Sequence, residues 1–253
     1  MTTMSLPIDS LPTLLPILLA DFPLGTILVY FGQSNLVGKL IVLILFLFSL
    51  LGWTVMIGKY VDLSRLRILN IKVAKKIQSY QQLFKLNETN IPSRNSPYAQ
   101  LVLECFRSHA HHRIHSQDNR PIPIIMGHIE NALQRAVAQQ TIRYESKMVV
   151  LGSIVTAAPF MGLLGTVWGV MDAFGSLTGQ SSVSIQSLAP GVSGALLTTV
   201  AGLLVAIPSV IGYNFLLSHT KLCITELENF ASSLADRIEL DLLEQNESDN
   251  NQI

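Results

Sequence analysis

The run MVVLGSIVTAAPFMGLLGTVWGVM, residues 148–171, decides the fold. It carries no charged side chain and lies between Lys147 and Asp172. A helix needs about 20 predominantly apolar residues to cross a bilayer, so this run is long enough. Working outward, two more runs qualify. Leu40 to Ile57 lies between Lys39 and Lys59, and an uncharged stretch ending at Thr220 has its apolar core from Ala195 to Leu217. All three contain Gly, Ser or Thr, which membrane helices carry at close-packed faces. Composition agrees. Of 253 residues, 49% are apolar and 13% charged, against about 25% charged in an ordinary soluble domain. The formal net charge is zero, which argues against a nucleic-acid partner, since that would favour a basic surface. Cys105 and Cys223 lie far apart without a CxxC spacing, so neither a disulfide framework nor a zinc finger is expected.

Basic loops stay on the cytoplasmic side of a bacterial membrane. Lys and Arg crowd the segment from Lys59 to Lys147, with Arg65, Arg67, Lys72, Arg107, Arg135 and Arg143 among them. None occurs before Lys39 or in the loop from Gly175 to Pro190. The expectation is a periplasmic N-terminus, a cytoplasmic C-terminus, and an external tip between the second and third spans. The apolar stretch Leu11–Tyr30 holds Pro12, Pro16, Asp21 and Pro23, and no basic n-region precedes it as a secretory signal would need. It reads as an interfacial segment.

The fold class expected is an all-α membrane protein, three transmembrane helices with long cytoplasmic helical extensions. The organisation expected is an N-terminal segment over 1–36, spans over 37–58, 148–174 and 191–217, a cytoplasmic helical domain over 59–147, a periplasmic loop over 175–190, a cytoplasmic helix over 218–243 and a disordered tail over 244–253. Leu63, Leu66, Leu69, Ile71, Val73 and Ile77 give a loose amphipathic pattern after the first span. Ile125 to Arg143 forms another, running into the second. Pro92, Pro97, Pro121 and Pro123 mark inter-helix loops.

Three motifs carry a family resemblance. Ala158-Pro159-Phe160-Met161-Gly162-Leu163-Leu164-Gly165-Thr166-Val167-Trp168-Gly169 is the first. Ala189-Pro190-Gly191-Val192 followed by Ala195-Leu196-Leu197-Thr198-Thr199-Val200-Ala201-Gly202-Leu203 is the second, and Ala206-Ile207-Pro208 closes the third span. Together they resemble the MotA/TolQ/ExbB proton-channel family. Lys39-Leu40-Ile41, Phe48-Ser49, Trp53 and the pair Asn229-Phe230 resemble the TolQ branch more than the ExbB branch.

The resemblance implies a homo-oligomer, a pentamer around a central pore, in the bacterial inner membrane. It implies a single-span partner of the TolR/ExbD type whose transmembrane Asp carries the proton, and a TolA/TonB-like protein beyond it. Protons would be the coupling ion, with no cofactor. The work implied is envelope maintenance and constriction through a Tol–Pal-type complex; the alternative is energising TonB-dependent import. By motif match the pore-lining residues are Thr166 and Thr199. Hydroxyls suit that task, since they donate to an ionised carboxylate and accept from a protonated one without adding fixed charge to hydrocarbon. Ser153, Thr156 and Thr198 read as packing residues. So do Gly162, Gly165, Gly169, Gly191 and Gly202, while Pro159, Pro190 and Pro208 shape their helices.

One departure stands out. The family usually has a Glu five positions before the third-span Thr, and here that position is Gly194. Because relatives carry Glu there, Gly194→Glu is expected to be tolerated. Asp172, at the outer end of the second span, reads either as a proton uptake group or as a solvated helix-end charge. The missing Glu also keeps open a scaffold that has lost proton coupling. Cys105, His109 and His112 fall on one helical face; a metal site fits the spacing, but the resemblance implies none and a packed or solvated face is the plainer reading. No nucleophile triad, phosphate loop or dinucleotide fingerprint occurs, so no enzyme is expected.

Overall fold

The structure is a computed structural model that describes residues 31–32, 34–80, 93, 95–115, 121–177 and 185–250. The interfacial stretch expected over 11–30 lies outside the described residues. Among the described residues the long helices follow in order: α1 Leu36–Gln78, α2 Pro97–His115, α3 Ile122–Glu145, α4 Met148–Gly175 and α5 Ile185–Asn250. Among the described residues no strand occurs. Stretches long and apolar enough to cross a membrane lie within Leu36–Gln78, Ile122–Gly175 and Leu188–Glu244. The all-helical architecture with three candidate spans is therefore as the charge-free runs dictate.

The chain divides into two units, one within residues 1–51 and 154–208, the other within 52–153 and 209–253. In the first unit Ile41, Leu45, Ala158 and Ala206 are buried together, with Val37, Met161, Ala201 and Val205 packed against them. The outward faces stay apolar: Phe46, Phe160, Val167 and Leu204 are all exposed, Phe160 to 71%. A soluble protein rarely shows contiguous apolar surface on this scale.

The second unit has the larger core, in which Leu63, Val73, Leu101, Val102, Ile129, Leu133, Leu227 and Ile238 are buried. Tyr98 stacks on Phe230 with ring centroids 3.9 Å apart. Arg237 closes the C-terminus of α1, donating to the carbonyls of Ile77 and Tyr80, where a helix end leaves acceptors without intrahelical donors. Pro97 and Pro123 both sit in the first turn of a helix, where a missing N–H costs nothing.

A buried polar trio ties α1, the start of α2 and α3. Asn70 Nδ2 donates to Tyr144 Oη at 2.8 Å, and Ser96 Oγ donates to Asn70 Oδ1 at 2.8 Å. Asn70 is 6% exposed and Ser96 fully buried. Asn70→Ala removes the shared partner of both. We expect it to lower stability by about 1–3 kcal/mol for each group left unpaired, read as loss of melting temperature in detergent; a change of less than about half a kcal/mol, below the net worth of a single hydrogen bond, would show that the trio does not matter.

Three boundaries differ from the sequence reading. α5 begins at Ile185, inside the stretch expected to be loop. Pro190 falls in its second turn, where a helical φ suits the ring and only one backbone bond is lost. α5 also continues to Asn250, past residue 244 where a disordered tail is expected, since Glu, Gln and Asn extend an existing helix at little cost per residue. Finally α3 does not run straight into the second span. The helix stops at Glu145, and Lys147 adopts the left-handed φ of 67° before α4 starts.

Candidate functional site

The site is built where α4 meets α5 within one chain. Three glycines bring the backbones close. A Cβ at Gly162 would lie 3.0 Å from Thr198 O and 3.1 Å from Thr199 Cα; at Gly165 it would lie 2.3 Å from Thr198 Oγ1; at Gly169 it would lie 2.6 Å from Ala195 Cβ. From the other side, a Cβ at Gly202 would meet Ala158 O at 2.8 Å, and one at Gly191 would meet Ala173 Cβ at 2.9 Å. The GxxxG spacing of Gly165 and Gly169 thus serves the α4–α5 pair of the same chain. Pro159 and Pro208 lie inside α4 and α5, each removing one intrahelical bond.

At this approach the threonines meet. Thr199 Oγ1 lies 3.5 Å from Thr166 Oγ1 and 3.1 Å from Gly162 O, to which it donates. Thr166 Oγ1 donates to Leu163 O at 2.8 Å. Both side chains are partly buried, whereas Thr198 is fully buried and directs its hydroxyl at Ala195 O, 2.6 Å, and Gly162 O, 3.1 Å. A hydroxyl has one proton. Gly162 O lies inside α4 and accepts the helical N–H of Thr166, so Thr199 can turn away from it without stranding it. Thr199 is therefore free to donate to an incoming group, and Thr166 keeps open lone pairs.

At the N-terminus of α1, Asn35 acts twice. Its Oδ1 accepts from Gly38 N at 2.7 Å as an N-cap, and its Nδ2 donates to Asp172 Oδ2 at 3.1 Å. Asp172 and Asn35 line a cavity of about 220 Å³ together with Ser34, Gly165, Gly169 and Gly194. Asn before an apolar run signals a cap, but nothing local signals its pairing with Asp172, which lies 137 residues away.

At Gly194 a Cβ would lie 2.9 Å from Ser34 Oγ and 3.2 Å from Ser34 Cα. Gly194→Glu therefore requires the Ser34 hydroxyl to turn and the segment before α1 to give by a few tenths of an ångström. Ser153 Oγ donates back to Val149 O at 2.9 Å, a local bond within its helix.

On the histidine-rich face, Cys105 is buried, and burial pushes its thiol up to about 12, which disfavours the thiolate that metal binding requires. Among the described residues no group of His, Cys, Asp and Glu is placed to hold a metal ion.

The chain is similar to the biopolymer transport protein ExbB of Neisseria meningitidis, 30% identical over 209 residues, covering 82% of this chain and 93% of the relative. The chain belongs to the MotA/TolQ/ExbB proton channel family. The family profile matches residues 109–229, a stretch that holds Thr166, Thr199 and the glycine approach. The Tol-Pal system protein TolQ of Haemophilus influenzae is 30% identical over 189 residues, covering 73% of this chain and 81% of the relative. That of Pseudomonas aeruginosa is 30% identical over 119 residues, 47% of this chain and 52% of the relative. The family is one of proton channels, a transport role, and relatives of both branches match at about 30% identity.

Proposed function

We propose that this family member is the multi-pass inner-membrane subunit of a proton-driven motor of the Tol–Pal type. It would assemble as a pentamer around a TolR-like single-span partner, with a TolA-like protein beyond. The observation that carries the reading is the pairing of Thr199 and Thr166 hydroxyls at 3.5 Å on a glycine-packed helix pair. In this reading the partner's transmembrane Asp docks against these hydroxyls. A carboxyl in apolar surroundings has a raised pKa and can take and release a proton near neutral pH. Proteoliposomes holding the chain and its co-encoded single-span partner should pass protons under an imposed potential. A wild-type complex that holds no flux would sink the proposal and favour a scaffold.

The ExbB-type role remains the second reading, because the Neisseria relative covers more of this chain than either TolQ does. Copurification decides between them: a TolA-like partner supports the first, a TonB-like partner the second.

The proposed orientation places the N-terminus in the periplasm and the C-terminus in the cytoplasm. Ser64 and Ser176 are exposed, and the two native cysteines are buried, so background labelling is low. A membrane-impermeant maleimide added to whole spheroplasts should label Ser176→Cys and leave Ser64→Cys unreacted. The opposite pattern reverses the topology.

A further inference from the structure

Within the second unit a cavity of about 230 Å³ is lined by Lys59, Asp62, Arg65, Arg143 and Lys147, among others. Four cations therefore face one carboxylate. Two of these cations donate to backbone carbonyls, which satisfies donors without cancelling charge. Lys59 Nζ donates to Tyr144 O at 2.6 Å and Arg143 Nη1 donates to Asn95 O at 3.1 Å. Lys147 Nζ stands 3.8 Å from Asp62 Oδ2, a loose pair with both side chains more than half exposed.

Two features separate this cavity from ordinary basic residues at a span end. Those reach into water on long stems, but Lys59 is only 4% exposed. The second is backbone. Lys147 holds a φ of 67°, a conformation costly for a residue with a Cβ, and such outliers gather where ligands are held. In sequence, Lys59 follows the first apolar run and Lys147 precedes the second, which sets the cavity at the membrane–water boundary. Basic cavities at that depth suit anionic head groups, and guanidinium forks match phosphate oxygens.

We infer that this cavity binds the phosphate of an anionic ligand, Arg65 and Lys147 supplying the charge that selects it. The same chemistry serves a phospholipid head group or a free phosphate. The inference rests on the apolar helices crossing a bilayer and not on proton coupling, so a chain that conducts no protons would still retain the ligand.

The test uses the full chain in mild detergent, with phosphatidylglycerol, phosphatidylcholine and inorganic phosphate as probes and native mass spectrometry as readout. The paired variant Arg65→Gln/Lys147→Asn removes two charges while keeping a residue that tolerates the left-handed backbone. Lys72→Gln/Lys75→Gln removes two from elsewhere on α1. Phosphatidylglycerol retention should fall about thirtyfold in the first pair, the combined effect of two basic side chains beside a head group, and stay near wild type in the second. Arg65→Glu alone, at an exposed helix position, keeps the test decisive should the pair not accumulate; it should lose retention as well. Millimolar inorganic phosphate that displaces the lipid identifies free phosphate as a competent ligand. No displacement identifies the lipid as the source. Equal retention of phosphatidylglycerol by wild type and the Arg65 variants, equal loss in the Lys72/Lys75 control, or equal retention of phosphatidylcholine each overturns the site.

Discussion

Gly165→Leu should leave almost no folded protein in the membrane, and Gly165→Ala should lower stability by about 1–3 kcal/mol, the usual cost of overpacking a close contact. The geometry sets the order. An added Cβ at 165 would sit 2.3 Å from Thr198 Oγ1, 2.6 Å from its Cβ and 2.9 Å from its Cγ2. No rotation of Thr198 clears its own Cβ, so the helices must part, and with them the approach at Gly162, where an added Cβ would lie 3.0 Å from Thr198 O and 3.1 Å from Thr199 Cα. The helix-propensity gain of Ala over Gly, about 1 kcal/mol, offsets only part of this. The damage falls on the α4–α5 pair of each chain, so it should appear as low accumulation and a lowered melting temperature, not as well-folded monomers. A double-mutant cycle is the sharper check. Thr198→Gly removes all three atoms that the added methyl would strike, so Gly165→Ala with Thr198→Gly should recover stability beyond the sum of the single effects. Additive losses would show that the close approach is not what position 165 supplies.

Thr199→Val should assemble normally and lose proton-driven activity. Valine keeps the branched shape and deletes the hydroxyl. Folding loses little: Gly162 O still accepts the helical N–H of Thr166, so no acceptor is stranded, and one hydrogen bond contributes about 0.5–1.5 kcal/mol net. A carboxylate docked at the site loses a bond to a charged group, about 1.5–3 kcal/mol, which lowers flux roughly ten- to hundredfold. Thr166→Val should be milder, because Thr166 already spends its proton on Leu163 O at 2.8 Å. Thr198→Val serves as the contrast, since its hydroxyl is fully buried and its loss should lower stability rather than flux alone. Full activity of Thr199→Val at normal expression returns these threonines to a packing role.

The spans were legible because a folded chain rarely goes about 20 residues without a charge unless that stretch lies in hydrocarbon. The glycine approach was legible in kind, as a GxxxG spacing, but not in its partner. Gly165 and Gly169 show a small face without saying which helix meets it. The adjacent pair Thr198 and Thr199 could not be ranked from sequence beyond motif match. Neighbouring residues point about 100° apart on a helix, and only the packing tells that one is sealed and the other open. Asn35 with Asp172 and Ser34 with Gly194 join segments far apart in sequence, where no local pattern reports contact. The turn at Ser146–Lys147 also escaped, since neither Gly nor Pro marks it and Lys is an uncommon occupant of left-handed backbone.

The trio of Asn70, Ser96 and Tyr144 has a consequence for how such a chain drifts over generations. Changing Asn70 or Tyr144 alone strands a polar partner in the interior, whereas exchanging all three for apolar residues of similar volume leaves unpaired only the Tyr98 N–H, a long 3.5 Å donor to Asn70 Oδ1. The intermediate sequences are the unfit ones. The three positions, scattered along the chain, should therefore behave as a single heritable unit: inherited whole or replaced whole, with mixed sets selected against in descendants.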